Sequence, residues 1–175
     1  VMASVAIILG SVRPGRAGDQ VVRWIEDQAR QVEGVQTVFF DLRDYDLPPF
    51  AEEMPPSMKA PELAEAVRLR ANLEANDAVV FVTPEYNNSI PGVLKNAIDY
   101  VPPASLKDKA VGLVGYSWHG GVAALGHLRE IIATLGAAIA EQQVSINLGS
   151  DFQDGVFAPS EELGVQIREL LASLA

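Results

Sequence analysis

Short apolar runs alternate with longer stretches of helical periodicity along the whole chain. Ser4 to Leu9 is brief, β-branched and without polar alternation, which predicts a strand buried on both faces. A helix is predicted over about Asp19 to Val32, where Val21, Val22, Ile25 and Ala29 share one face. Gln36 to Asp41 predicts the second strand. Glu62 to Ala75 reads as an amphipathic helix with Leu63, Ala66, Val67 and Leu73 turned inward. Ala78 to Val82 predicts the third strand. A polar loop and a helix follow it, with Pro91 in the first turn and Ser89 placed to cap it. Pro102-Pro103 stops that helix. Lys109 to Gly115 predicts the fourth strand and about Val122 to Leu135 the next helix. Ala138 to Leu148 holds a fifth strand, and Glu161 to Leu174 a closing helix.

Strand and helix thus alternate five times, the pattern of an α/β doubly wound five-stranded parallel sheet with helices on both faces. Right-handed crossovers favour the strand order 2-1-3-4-5 in a single domain spanning 1–175. In that order the loops after the first, third and fourth strands meet at one edge, beside the switch point where such sheets bind ligands. Asp41 to Pro61 is long and irregular, with several prolines, Met54, Met58 and Glu52-Glu53. Two readings stand for it: a wall of the site or a partner surface, or a solvated acidic loop.

The loop after the first strand runs Gly10-Ser11-Val12-Arg13-Pro14-Gly15-Arg16-Ala17-Gly18 into a helix. Loop amides and a helix amino end direct donors and partial positive charge at one place, the geometry of a phosphate site. Ser11 adds a hydroxyl, and Arg13 and Arg16 add charge-assisted donors. The loop is neither a Walker A loop nor G-x-G-x-x-G. Against this stands the plainer reading of two solvated arginines.

Composition narrows the chemistry. A chain of 175 residues buries roughly 70% of its unfolded surface, enough for a core without staples. There are no cysteines, so disulfides, thiolate metal sites and cysteine redox relays are excluded, and redox work requires a bound cofactor. Two histidines leave no metal-ligand spacing to consider. A net charge of -10 argues against general nucleic-acid binding and makes any anion site depend on local positive groups. No apolar run approaches a membrane span. Val5 to Leu9 is too short for a signal-peptide core and lacks a basic start, so a cytoplasmic protein is expected.

The most specific stretch is Thr83 to Tyr100. Pro84, Glu85, Tyr86, Asn87, Ser89, Pro91, Gly92, Leu94, Lys95, Asn96, Ala97, Ile98, Asp99 and Tyr100 resemble the signature of the NADPH-dependent FMN reductases. These are flavodoxin-like flavoproteins that include quinone, azo and chromate reductases. Gly10-Ser11-Val12-Arg13 is similar to that family's phosphate loop, and Ser117, Gly120 and Gly121 match its Gly-Gly turn. The resemblance implies a flavodoxin-like fold with FMN as cofactor. Its phosphate would sit on Ser11, Arg13, Arg16 and Gly18, with Asp19 and Gln20 close by. Its ring would rest on Pro84, Glu85, Tyr86, Asn87 and Ser89, and Tyr116, Ser117, His119 and Gly120 would close the other side. NADPH or NADH would reduce the flavin, and a small-molecule acceptor such as free flavin or a quinone would reoxidise it, in ping-pong order. No side chain needs to act as nucleophile. A homodimer or tetramer is also implied. Ile90, Val93, Leu94 and Ile98, more apolar residues than one buried face needs, support it.

Several residues keep two readings. Glu85 is a general base or, with more weight, a shaper of the loop. Tyr86 is a stacking platform or packing. His119 is a donor to cofactor or substrate or a turn residue, and Trp118 shapes access or covers apolar surface. His127 is core or surface rather than a ligand, and Lys95 with Asp99 is a helix ion pair. Two other functions compete. Gly115-Tyr116-Ser117-Trp118-His119 falls one glycine short of a hydrolase nucleophile elbow and has no late histidine partner. A flavodoxin-type electron carrier shares the fold, but holds its phosphate in a Ser/Thr-rich rather than an arginine-containing loop.

Overall fold

The computed structural model describes residues 1–175. The unbroken apolar runs are explained by a sheet covered on both sides. In β1 (Ala3–Leu9), Val5, Ile7 and Leu9 join one core, and Ala6 and Ile8 join another. β3 (Ala78–Pro84) divides in the same way: Ala78, Val80 and Val82 face one side, Val79 and Phe81 the other. Burial on both faces leaves no position for the polar half of an alternating strand. The first core is closed by α1 (Gly18–Ala29) and α6 (Glu161–Ser173). The second is closed by α2 (Ala64–Glu74), α3 (Gly92–Asp99), the short α4 (Pro103–Leu106) and α5 (Val122–Thr134).

With β2 (Val35–Asp41), β4 (Ala110–Ser117) and β5 (Ala138–Ile139), the sheet is parallel in the expected order β2-β1-β3-β4-β5. The expected fifth strand is broken, and its second half is β6 (Val144–Asn147), also parallel to β4. Across the break β4 advances three residues, Val111 to Val114, while the opposing segment advances five, Ile139 to Val144. Register is therefore recovered only by looping out. Arg129 braces the break by donating to the Ala140 and Glu141 carbonyls.

Other expectations need correction. β4 runs on through Tyr116, which pairs with Pro84 and Ile146, and Ser117, which pairs with Asn147. In α2 the buried stripe is Ala66, Leu69 and Leu73, and Leu63 and Val67 are exposed. Pro91 is the N-cap of α3, and Ser89 makes no cap bond to that helix. Ile90, Leu94 and Ile98 are buried and Val93 packs on the same core, so this helix has no spare apolar face. Of the segment 41–61, a 3₁₀ turn (Leu42–Asp44) comes first. Leu47 to Phe50 is then tied down by Asn96 and Tyr100, whose side chains bond its main chain. Nearly all of residues 51–60 are exposed. A hairpin not expected from the sequence, β7 (Phe152–Gln153) with β8 (Val156–Phe157), turns through Asp154 and Gly155 at positive φ. No helix is long and apolar enough to cross a membrane.

Candidate active site

At the carboxyl ends of β1, β3 and β4 three loops enclose a cleft of about 330 Å³. Ser11 and residues 13–17 form one wall. Pro84, Glu85 and Tyr86 form the second, and Tyr116, Ser117 and Trp118 the third, with Leu148 joining them from beyond β6. The convergence expected from strand order is thus present.

The β1–α1 loop is rich in unused donors. The amides of Ser11, Val12, Gly15, Arg16, Ala17, Gly18 and Asp19 make no hydrogen bond within the protein. Gly18 and Asp19 open α1, so the helix dipole adds positive potential there. Beside them lies Tyr116, only 4% exposed, with a buried hydroxyl that has no partner. A buried polar atom without a bond is costly and calls for an explanation. Gly18 makes room for it: a Cβ there would lie 2.6 Å from Tyr116 Oη and 2.5 Å from Leu9 Cδ1. Burial, with the Tyr86 phenol as a lesser cause, pushes the Tyr116 pKa well up, so its hydroxyl stays protonated and able to donate.

Arg13 and Arg16, equivalent by eye in the sequence, are used differently. Arg13 is exposed, with its guanidinium carbon 5.9 Å from the centre of the Tyr86 ring. Arg16 is buried and spends its donors inside the protein: on both Asp41 oxygens, on Asp19 Oδ1 at 2.9 Å and on the Ser11 carbonyl. Burial works against the Asp41 charge, but Arg16 and the Arg43 amide outweigh it and hold that carboxyl below its ordinary range. Two carboxylates meet one guanidinium here, so Arg16 offers an incoming anion no net positive charge. The free amides, Ser11 and Arg13 remain.

The loop after β3 is a tight turn. Tyr86 and Ser89 exchange main-chain bonds of 2.9 and 3.1 Å around Asn87 and Asn88, at φ 49° and 66°. Asparagine is among the few residues that tolerate this left-handed pair. Tyr86 reaches across the cleft to Ser11, Oη to Oγ 2.8 Å. Glu85 Oε1 accepts from the Ala124 amide at 2.9 Å, in the first turn of α5, which is the loop-shaping role. In the third loop Ser117 Oγ accepts from the amides of His119 (3.0 Å) and Gly121 (2.8 Å). Gly121 lies at φ 69°, and a Cβ there would come within 2.9 Å of the Tyr116 nitrogen. Ser117 Oγ meets no histidine ring; His127 Nδ1 instead meets Ser89 Oγ at 2.9 Å. The hydrolase arrangement is not formed.

The sequence profile of the NADPH-dependent FMN reductases matches residues 3–151. The chain belongs to this family. An NAD(P)H-dependent FMN reductase of Nectria sp is 35% identical over 135 residues, 74% of this chain and 67% of that protein. A quinone reductase of Escherichia coli K12 is 33% identical over 149 residues, 77% of this chain and 72% of that one. Among solved structures, the flavoenzyme NAD(P)H:(acceptor) oxidoreductase FerB of Paracoccus denitrificans superposes with TM-score 0.75 at 27% identity. It covers 99% of this chain and 95% of its own. A flavodoxin of Bacillus cereus, at 16% identity and TM-score 0.61, covering 98% of this chain and 97% of its own, shares the fold. Family membership makes the protein an oxidoreductase of flavin and NAD(P)H. A loop of free amides beside a buried, unpartnered donor suits the phosphate-bearing tail of FMN.

The structure brings Ser11, Arg13, Arg16, Pro84, Glu85, Tyr86, Tyr116 and Ser117 to the cleft. Gly18 stands behind it. Asp19 is engaged by Arg16. The Gln20 amide group pins the hairpin, donating to the Gly155 carbonyl at 2.9 Å and accepting from the Phe157 amide at 2.8 Å. Asn87, Ser89, His119 and Gly120 lie in the same loops but off the cleft wall. Sequence reasoning assigned no role to Leu148, Asp41 or Arg43. Asp41 and Arg43 are linked to each other locally, but their bonds to the β1–α1 loop join positions 25 to 31 apart, so no local signal points to the cleft.

Proposed function

We propose that the protein passes electrons from NAD(P)H through bound FMN to small acceptors such as free flavin or quinones, each substrate entering and leaving in turn. The observation that carries the reading is the run of free amides at the start of α1 with the orphaned Tyr116 hydroxyl beside it. These groups, Ser11 and Arg13 would hold the phosphate end. The turn at Tyr86–Ser89 and the Ser117–Gly121 loop, both fixed by internal bonds, would orient the ring. Bound FMN would supply the hydride chemistry, and the chain would hold and orient it. No group in the cleft is needed as nucleophile, and Glu85 serves as a helix cap.

The test is an absorption spectrum of the purified protein, with FMN added if it is colourless. Flavin bands that NADPH bleaches without a partner protein support the reductase. Bands that NADPH leaves unchanged make it an electron carrier, and failure to bind FMN overturns the reading. We also propose a cytoplasmic homodimer or dimer of dimers. Sedimentation then gives at least twice 18.8 kDa, and a monomer at micromolar concentration refutes it.

A further inference from the structure

We propose that Arg43, outside the cleft, is a positioning residue that sets the polarity of the β1–α1 loop and thereby its affinity for an anion. Three successive carbonyls in this loop are each taken by a guanidinium. The Ser11 carbonyl accepts from Arg16 Nη1, the Val12 carbonyl from Arg43 Nε at 3.4 Å, and the Arg13 carbonyl from Arg43 Nη2. All peptide bonds are trans. In a trans peptide the N–H points opposite to the carbonyl it is joined to. The Ser11 and Val12 carbonyls, held toward Arg16 and Arg43, therefore turn the Val12 and Arg13 amides the other way; the Arg13 amide meets Ser11 Oγ at 3.3 Å, and Pro14, after the Arg13 carbonyl, has no N–H. Val12 and Arg43 line a separate hollow, together with Leu42, Tyr45 and Val93, which shares no residue with the cleft. The loop thus shows its negative ends to the guanidiniums, on the side away from the Val12 and Arg13 amides.

Arg43 is itself fixed. Its amide donates to Asp41 Oδ1 at 3.0 Å, and the same carboxylate grips Arg16. Asp41 is the last residue of β2 and sits opposite Leu9 of β1. The edge strand of the sheet, which contributes nothing to the cleft wall, governs the loop through this pair of arginines. A flip of the Val12–Arg13 or Arg13–Pro14 peptide would turn a carbonyl oxygen, which repels an anion, away from the guanidinium; only Arg43 holds those two carbonyls, and the first flip would also take the Arg13 amide from Ser11 Oγ. The exposure of Arg43 means that its removal leaves the core intact.

The test compares FMN with riboflavin, which has the same ring and no phosphate. Its FMN arm rests on the proposed flavin function; a second arm does not. In Arg43→Ala the FMN Kd is expected to rise about tenfold or more, as for lost bonds to a charged group. Riboflavin Kd should stay unchanged, the melting temperature should stay close to wild type, and Arg43→Lys should recover part of the loss. FMN affinity that does not change, or FMN and riboflavin weakened alike, overturns the proposal. Wild-type protein that binds both flavins equally also overturns it, while leaving the flavin function standing. Wild-type protein that binds neither flavin sinks the function instead. Titration with inorganic phosphate then decides: binding lost in Arg43→Ala sustains the loop assignment, and equal or absent binding overturns it.

Discussion

Replacing Tyr116 by Phe should shift stability in opposite directions in the empty and the FMN-loaded protein. The hydroxyl is buried and unpartnered beside Gly18. Leaving a polar group in that state costs about 1–3 kcal/mol. Its removal should stabilise the flavin-free protein by about 1 kcal/mol, a rise of about 2–4 °C in Tm for a chain of this size. With FMN bound, the hydroxyl has a partner and the variant loses that bond, which weakens binding about tenfold if the partner is charged. At FMN about 1,000 times the wild-type Kd, ligand stabilisation is about 4.1 kcal/mol for wild type and about 2.7 for the variant. The FMN-induced rise in Tm should therefore shrink by about 3–6 °C. Differential scanning fluorimetry without and with FMN measures both quantities. A flavin-free variant less stable than wild type, or equal FMN-induced rises, would refute the assignment of this hydroxyl to the cofactor.

Arg13→Ala should weaken FMN binding more than tenfold, since a charge-assisted contact is worth about 1.5–3 kcal/mol; unchanged affinity by fluorescence titration moves the phosphate elsewhere. Glu85→Ala should cost about 1 kcal/mol through the lost bond to the Ala124 amide. Glu85→Gln, which keeps an acceptor oxygen, should recover most of it, and equal melting temperatures for all three proteins refute the capping role. The depressed pKa of Asp41 gives an acid signature. Its contribution is complete above the unfolded value of about 4 and is lost as pH falls through the lower folded value. The stability gap between wild type and Asp41→Asn should close on acidification below about pH 4, and a gap that persists to pH 2 in denaturant titrations contradicts the linkage.

The sheet order and the meeting of three loops were legible because burial on both faces turns β1 and β3 into plain apolar runs, and crossover rules do the rest. The end of β4 was not: Tyr116 and Ser117 look like loop residues and become strand only because Pro84 and Asn147 flank them. Arg13 and Arg16 are alike until Asp41, 25 positions further on, claims Arg16. Gln20 reads as a site residue until the hairpin arrives from the far end of the chain. That hairpin was detectable, because Asp154-Gly155 between Phe-Gln and Val-Phe is a recognised turn signal. On α2, Ala66 and Leu73 face inward as expected, but Leu69 takes the place of Leu63 and Val67, since either set fits helical spacing with those two.

The break between β5 and β6 separates two kinds of accuracy within one strand. Val144 to Asn147 keeps strict register with the cleft end of β4, while the two surplus residues accumulate below, where Glu141 and Gln142 face solvent. Chain length at this point is therefore not transmitted to the site. A peptide inserted after Gln142 should be absorbed as slack, provided that Arg129 keeps its carbonyl partners at Ala140 and Glu141. This makes the break a place to attach a reporter or to open new chain ends without disturbing the cleft.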